Sequence, residues 1–158
     1  LENGFINENE LLIKFIGILD AEGENLINLS KYKKCFQLLG FVSHRKSILE
    51  IKSADILLLI PGPGIGTMPG KFYEYLAAEK PIFCISNEGP PKIYINNYGL
   101  GIVSNDSSPV DIANKFNQLI KSIENNNFIY PKVSNLKDKF NRKYIAKDMA
   151  AVFTKSNI

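Results

Sequence analysis

Lys71 and Glu74 follow directly on the ten-residue run Pro61-Gly-Pro-Gly-Ile-Gly-Thr-Met-Pro-Gly70 and stand three residues apart. That spacing puts both side chains on one face of a helix. A lysine there adds a point charge to an anion site. A carboxylate beside it can accept two hydrogen bonds from a vicinal diol such as a ribose. Phosphate and ribose side by side make a nucleotide site. The same two residues also make an ordinary intrahelical ion pair, and the spacing alone leaves both readings open. The neighbourhood favours the ligand. Gly62, Gly64, Gly66 and Gly70 let a bound group approach the backbone without Cβ atoms in the way. A loop re-entering as a helix also presents unpaired N–H groups and partial positive charge, which suit phosphate or carboxylate.

Other chemistries find little support. His44 is the only histidine, and no serine or cysteine can be placed with it in a triad. It could touch a base or sugar, or simply sit in a helix's first turn. Asp20 lacks the acidic neighbours of a phosphoacceptor site. No Cys/His set has metal-ligand spacing, so no metal is expected. The chain has no Walker A motif, and Gly17-Ile-Leu-Asp stands where a dinucleotide fingerprint would follow the first strand. No cofactor is expected either. Lys31, Lys33 and Lys34 beside Tyr32 form the densest basic cluster in a chain of formal charge +3. With no long basic run, it reads as a solvated face rather than a nucleic-acid or membrane contact. Cys35 and Cys84 fall in separate apolar runs and are expected to be buried, unpaired thiols.

The elements that must position Lys71 and Glu74 alternate between strand and helix. The 158 residues suit one domain, with 45% hydrophobic and 22% charged residues, as in ordinary globular proteins. Strands are expected over 11–18, 35–42, 55–60, 81–86 and 99–104, and the third is continuously apolar, as a strand covered on both faces should be. Helices are expected over 25–32, from a Ser43 cap to residue 54, and from Lys71 to about residue 80. Another should start at Ser108-Pro109-Val110-Asp111, which puts a hydroxyl at the cap, proline at the first position and a carboxylate in the first turn. Ile112, Phe116, Leu119, Ile120 and Ile123 then share a face. A final amphipathic helix is expected over 136–153, with Phe140, Tyr144, Ile145, Met149 and Val152 in one stripe. The pattern indicates a doubly wound α/β domain with a mostly parallel five-stranded sheet and helices on both faces. In such sheets ligands bind at the carboxyl ends of the strands, where the glycine loop lies. No apolar run approaches the length of a membrane span, and no signal peptide is visible.

The run FQLLGFVSHRKSILEIKSADILLLIPGPGIGTMPGKFYEYLAAEKPIFCIS resembles the carboxyl-terminal domain of glycosyltransferases built from two Rossmann-like halves, the GT-B fold. It is similar above all to retaining transferases that use sugar nucleotides to build cell-surface polysaccharides. Three signatures match in order: a strand ending G-[FY]-V, a helix leading into S-A-D-[IV]-L-L-L, and P-G-K-x-x-E-Y-L-A-x-x-K-P-I. FNRKYIAKDMAAVF is similar to the family's closing helix, so the resemblance covers about residues 11–153.

The resemblance implies that Glu74 holds the ribose hydroxyls of the donor nucleotide. It implies that Phe41, Val42 and Ser43 line the base, and that Gly64, Ile65, Gly66, Thr67 and Met68 face the donor sugar and diphosphate beside Lys71. Many members carry a second acid eight residues before the ribose glutamate, where this chain has Gly66. The spacing of residues 17–40 matches the interval from the family's second strand to its third. The chain therefore reads as a truncated donor-binding half, lacking the first strand and the amino-terminal domain and inactive alone. Without that strand, 11–18 and 55–60 should pair directly, giving the order 2-1-3-4-5. The implied function is donor binding in transfer of a sugar from a nucleoside-diphosphate sugar to a growing polysaccharide or glycolipid. The implied location is cytoplasmic, peripheral at the inner face of the membrane. The partners would be the donor and a missing amino-terminal domain or subunit, with no nucleic acid. A nucleotide-sugar epimerase domain and a noncatalytic nucleotide-binding subunit are the alternatives.

Overall fold

A computed structural model describes residues 6–62 and 67–132, together with Leu136, Phe140, Lys143, Ala146 and Ala151. The chain divides into two compact units, Leu1–Ser53 and Ala54–Ile158.

In the first unit, β1 (Ile13–Phe15) pairs in parallel with β2 (Phe36–Leu38), Ile13 opposite Phe36 and Phe15 opposite Leu38. Helix α1 (Ala21–Leu29) starts four residues earlier than its apolar residues suggest, because Asp20 caps it by accepting from Gly23 N at 2.7 Å. Glu22 and Glu24 in its first turn suit the positive end of the helix dipole. Cys35 belongs to a short 3-10 turn, Lys33–Cys35, and not to the strand that follows. Helix α2 (His44–Ser53) has the expected Ser43 cap, whose Oγ accepts from Lys46 N at 3.3 Å. Lys14 on β1 reaches Glu50 on α2 at 2.8 Å.

The second unit holds β3 (Leu57–Leu59), β4 (Ile82–Ile85) and β5 (Gly101–Ser104) in one parallel sheet, order β3-β4-β5. Between them run α3 (Gly70–Ala78), α4 (Pro90–Tyr98) and α5 (Pro109–Glu124). Leu59, Phe72, Leu76, Ile82, Cys84, Ile95, Leu100 and Leu136 form one buried cluster. Phe140 packs on the rings of Tyr73 and Tyr94, at 5.0 and 5.7 Å between centroids. Leu136, Phe140, Lys143, Ala146 and Ala151 are helical, while Tyr144, Ile145, Met149 and Val152 of the expected stripe lie outside the described residues. Both cysteines are free and buried, and burial pushes the Cys84 thiol up to about 11.

The α/β alternation and parallel pairing are as the sequence indicates, but the single sheet in the order 2-1-3-4-5 is not what forms. The five strands make two sheets, β1-β2 and β3-β4-β5. Two features account for this. Strand β1 carries the exposed Lys14 between half-buried Ile13 and Phe15, whereas a strand inside a doubly wound sheet is apolar on both faces. On β3, Leu57 N donates to Pro81 O at 2.9 Å, so the N–H and C=O of Leu58 point to the edge away from β4. There the Leu58 carbonyl accepts from the Tyr75 hydroxyl at 3.1 Å, and a side chain takes the place of a neighbouring strand.

Helix α4 goes beyond what the apolar pattern indicates. Its start is Gly89 at φ 103° followed by Pro90 and Pro91, and its end is Gly99 at φ 63°, whose N–H closes on Ile95 O. Helix α5 has the expected cap, with Ser108 Oγ accepting from Asp111 N at 3.2 Å.

Asp111 in turn accepts from Asn105 N at 2.9 Å and from Ser104 Oγ at 3.0 Å. The Asn105 backbone bond, and then the Ser104 hydroxyl, hold its pKa below the ordinary value. A carboxylate depressed in the folded state stabilises above its unfolded pKa, and that contribution is lost as pH falls through the folded pKa. Asp111→Asn should therefore lower the melting temperature at neutral pH. Melts near pH about 3 should show a smaller gap from wild type, because more of the unfolded and folded carboxyls are then protonated. A gap that stays constant across that range would contradict the assignment.

Candidate functional site

The candidate site is the segment in which β3 ends and α3 begins. Leu57 and Leu59 anchor the strand in the core, and Phe72 and Leu76 anchor the helix four residues apart. Pro63, Gly64, Ile65 and Gly66 lie outside the described residues. Thr67 is exposed, and Met68 packs half-buried against the core, which ties down the approach to the helix.

The amino end of α3 differs from those of α1 and α5. Pro69 occupies the cap and supplies no side-chain acceptor, whereas Asp20 and Ser108 each accept from a first-turn amide. Phe72 N donates to Pro69 O at 3.0 Å. Among the described residues, an added Cβ at Gly62 or Gly70 would meet nothing within 4 Å. A helix start without a side-chain cap from its own N-cap residue has the polarity to attract an anion.

Lys71 Nζ and Glu74 Oε2 meet at 2.7 Å, with side chains 50% and 28% exposed. The intrahelical pair is therefore formed. A diol would have to share the Glu74 carboxylate with Lys71, which its two oxygens allow.

Of the other expected site residues, Phe41 is 87% exposed, Val42 half-buried and Ser43 exposed. All three belong to the first unit, and the loop, Lys71 and Glu74 to the second. Ser43 spends one oxygen lone pair on the α2 cap, and His44 opens that helix with an exposed side chain.

Two features of the second unit were not singled out in the sequence. Tyr75 bonds β3 as described. At the carboxyl ends of β4 and β5, Asn87 binds Asp106 through its Nδ2, while Asp106 N donates back to Asn87 Oδ1 at 3.3 Å. That exchange ties the two strand ends together. Asn87 and Asp106 each follow a strand by two residues, and that symmetry was the available signal.

Among the described residues no group of three or more His, Cys, Asp or Glu could hold a metal ion. None of their helices is long and apolar enough to cross a membrane. No protein-family model and no curated protein matches the chain.

Proposed function

We propose that this chain is the donor-binding part of a glycosyltransferase that moves a sugar from a nucleoside-diphosphate sugar to a polysaccharide or glycolipid acceptor. The observation that carries the reading is the start of α3, where Pro69 supplies no side-chain cap, with Lys71 and Glu74 paired within its first turns. The helix start and Lys71 would take the diphosphate, and Glu74 the ribose hydroxyls. As the sugar leaves, negative charge grows on the diphosphate, and fixed amide dipoles with a lysine stabilise it without reorganising. This half holds the donor, and a separate domain or subunit supplies the acceptor side. The work would be done in the cytoplasm, at the inner face of the membrane.

Titration of the chain with uridine and guanosine diphosphates and their sugars, followed by amide chemical shifts, tests this. Shifts concentrated from Thr67 to Glu74 are expected for one base series. Glu74→Ala should weaken that binding by about 1–3 kcal/mol, the range for hydrogen bonds to a charged group. Perturbations only at other places would overturn the site.

A further inference from the structure

Tyr75 follows Glu74 directly, yet its side chain goes the other way. Successive helical residues turn by roughly 100°. With Phe72 and Leu76 forming the buried stripe of α3, Tyr75 and Lys71 fall on one flank of it and Tyr73 on the other. The Tyr75 ring packs against the core cluster while its hydroxyl donates to Leu58 O at 3.1 Å. That carbonyl faces the edge of β3 not used by β4, where a backbone acceptor would otherwise have no strand partner. Burial, and then the nearby Glu74 charge, push the Tyr75 pKa up, so the hydroxyl keeps its proton and stays a donor.

We infer that Tyr75 is the positioning residue of this site: its bond to the outward carbonyl of Leu58 fixes the rotation of α3, and with it the direction in which Lys71 and Glu74 project. Phe72 and Leu76 hold the helix against the sheet by apolar contact, which is non-directional and permits rolling. A hydrogen bond on one flank supplies the direction. Tyr73 on the opposite flank meets the Phe140 and Phe72 rings, and ring packing constrains rotation less sharply than a hydrogen bond. The same bond closes β3 to a further strand, so the device that orients the helix also limits the sheet.

The role of Tyr75 in ligand binding rests on the function proposed above, and its role in fixing α3 does not. The test uses the full chain as wild type, Tyr75→Phe, Glu74→Ala and the double variant. Tyr75→Phe keeps the ring and the fold. Two readouts are taken: amide hydrogen exchange, and affinity for uridine and guanosine diphosphates. Expected are faster exchange confined to α3 and about threefold to tenfold weaker binding, the worth of one neutral hydrogen bond. In the Glu74→Ala background the same change should weaken binding by less than it does in wild type, because one of the two groups that Tyr75 aims is gone. Additive losses in the double variant would show that Tyr75 acts through overall stability and would overturn the inference. Unchanged exchange at α3, or acceleration spread evenly along the chain, would overturn it as well. If wild type binds neither diphosphate, the proposed function falls and the exchange pattern alone decides whether Tyr75 positions α3.

Discussion

Gly101→Ala is expected to destabilise the second unit by about 3 kcal/mol or more, the upper range for forcing atoms into a packed interior. Gly101 opens β5 opposite Ile82 of β4. A Cβ there would collide with the Ile82 carbonyl oxygen and stand 2.7 Å from both its carbonyl carbon and its nitrogen. All three are backbone atoms of a strand paired on both sides, so no rotamer change relieves the contact. Ile82 N also donates to Leu100 O at 3.0 Å, and pushing the strands apart would break that bond. Urea unfolding followed by circular dichroism gives the measurement. Gly70→Ala is the control, since a Cβ there meets nothing and should shift stability by less than about 0.5 kcal/mol. Equal midpoints for Gly101→Ala and wild type would mean that β4 and β5 do not approach as described.

That glycine was not singled out in the sequence, and the reason is general to this chain. Features that depend on neighbours in sequence were legible. Ser108-Pro109 with Asp111 declared α5, Ser43 declared the start of α2, and the continuous leucines of 57–59 declared a buried strand. The end of β3 and the start of α3 at Gly70 were equally plain, because strand and helix follow each other closely in the chain. Features that depend on distant partners were not legible. The choice of Tyr75 over a strand at the edge of β3 spans seventeen residues and leaves no pattern in the apolar periodicity. The hint against one continuous sheet was Lys14, a charge in the middle of an apolar run. Helix α4 was hidden for another reason. Ile93 and Tyr98 are exposed on it while Ile95 is buried, so its apolar residues do not form one stripe. Its real marks were the glycines and prolines at its ends.

Phe72→Ala should be the most damaging substitution in the candidate site's own helix, at about 3–5 kcal/mol, the range for removing a buried phenylalanine. Phe72 is fully buried and meets Tyr94 edge-on, with centroids 6.0 Å apart and planes at 68°. Its cavity would open among Leu59, Leu76 and Ile82, which belong to a sheet and a helix that cannot collapse independently. Tyr73→Ala on the same helix is the comparison. Tyr73 is 38% exposed, so its truncation should cost much less, about 1 kcal/mol. A similar loss for both would show that α3 is held by its outer flank rather than by Phe72. The consequence for binding differs from that of Glu74→Ala. On the proposed function, removing the carboxylate would delete a ligand contact and leave the fold, whereas removing Phe72 would free the helix that carries both the carboxylate and Lys71. Phe72→Leu keeps most of the volume and should cost less than the alanine change. If it restores diphosphate affinity along with stability, the core under α3 and the site above it are one mechanical unit. If stability returns and affinity does not, the aromatic ring itself sets the position of α3.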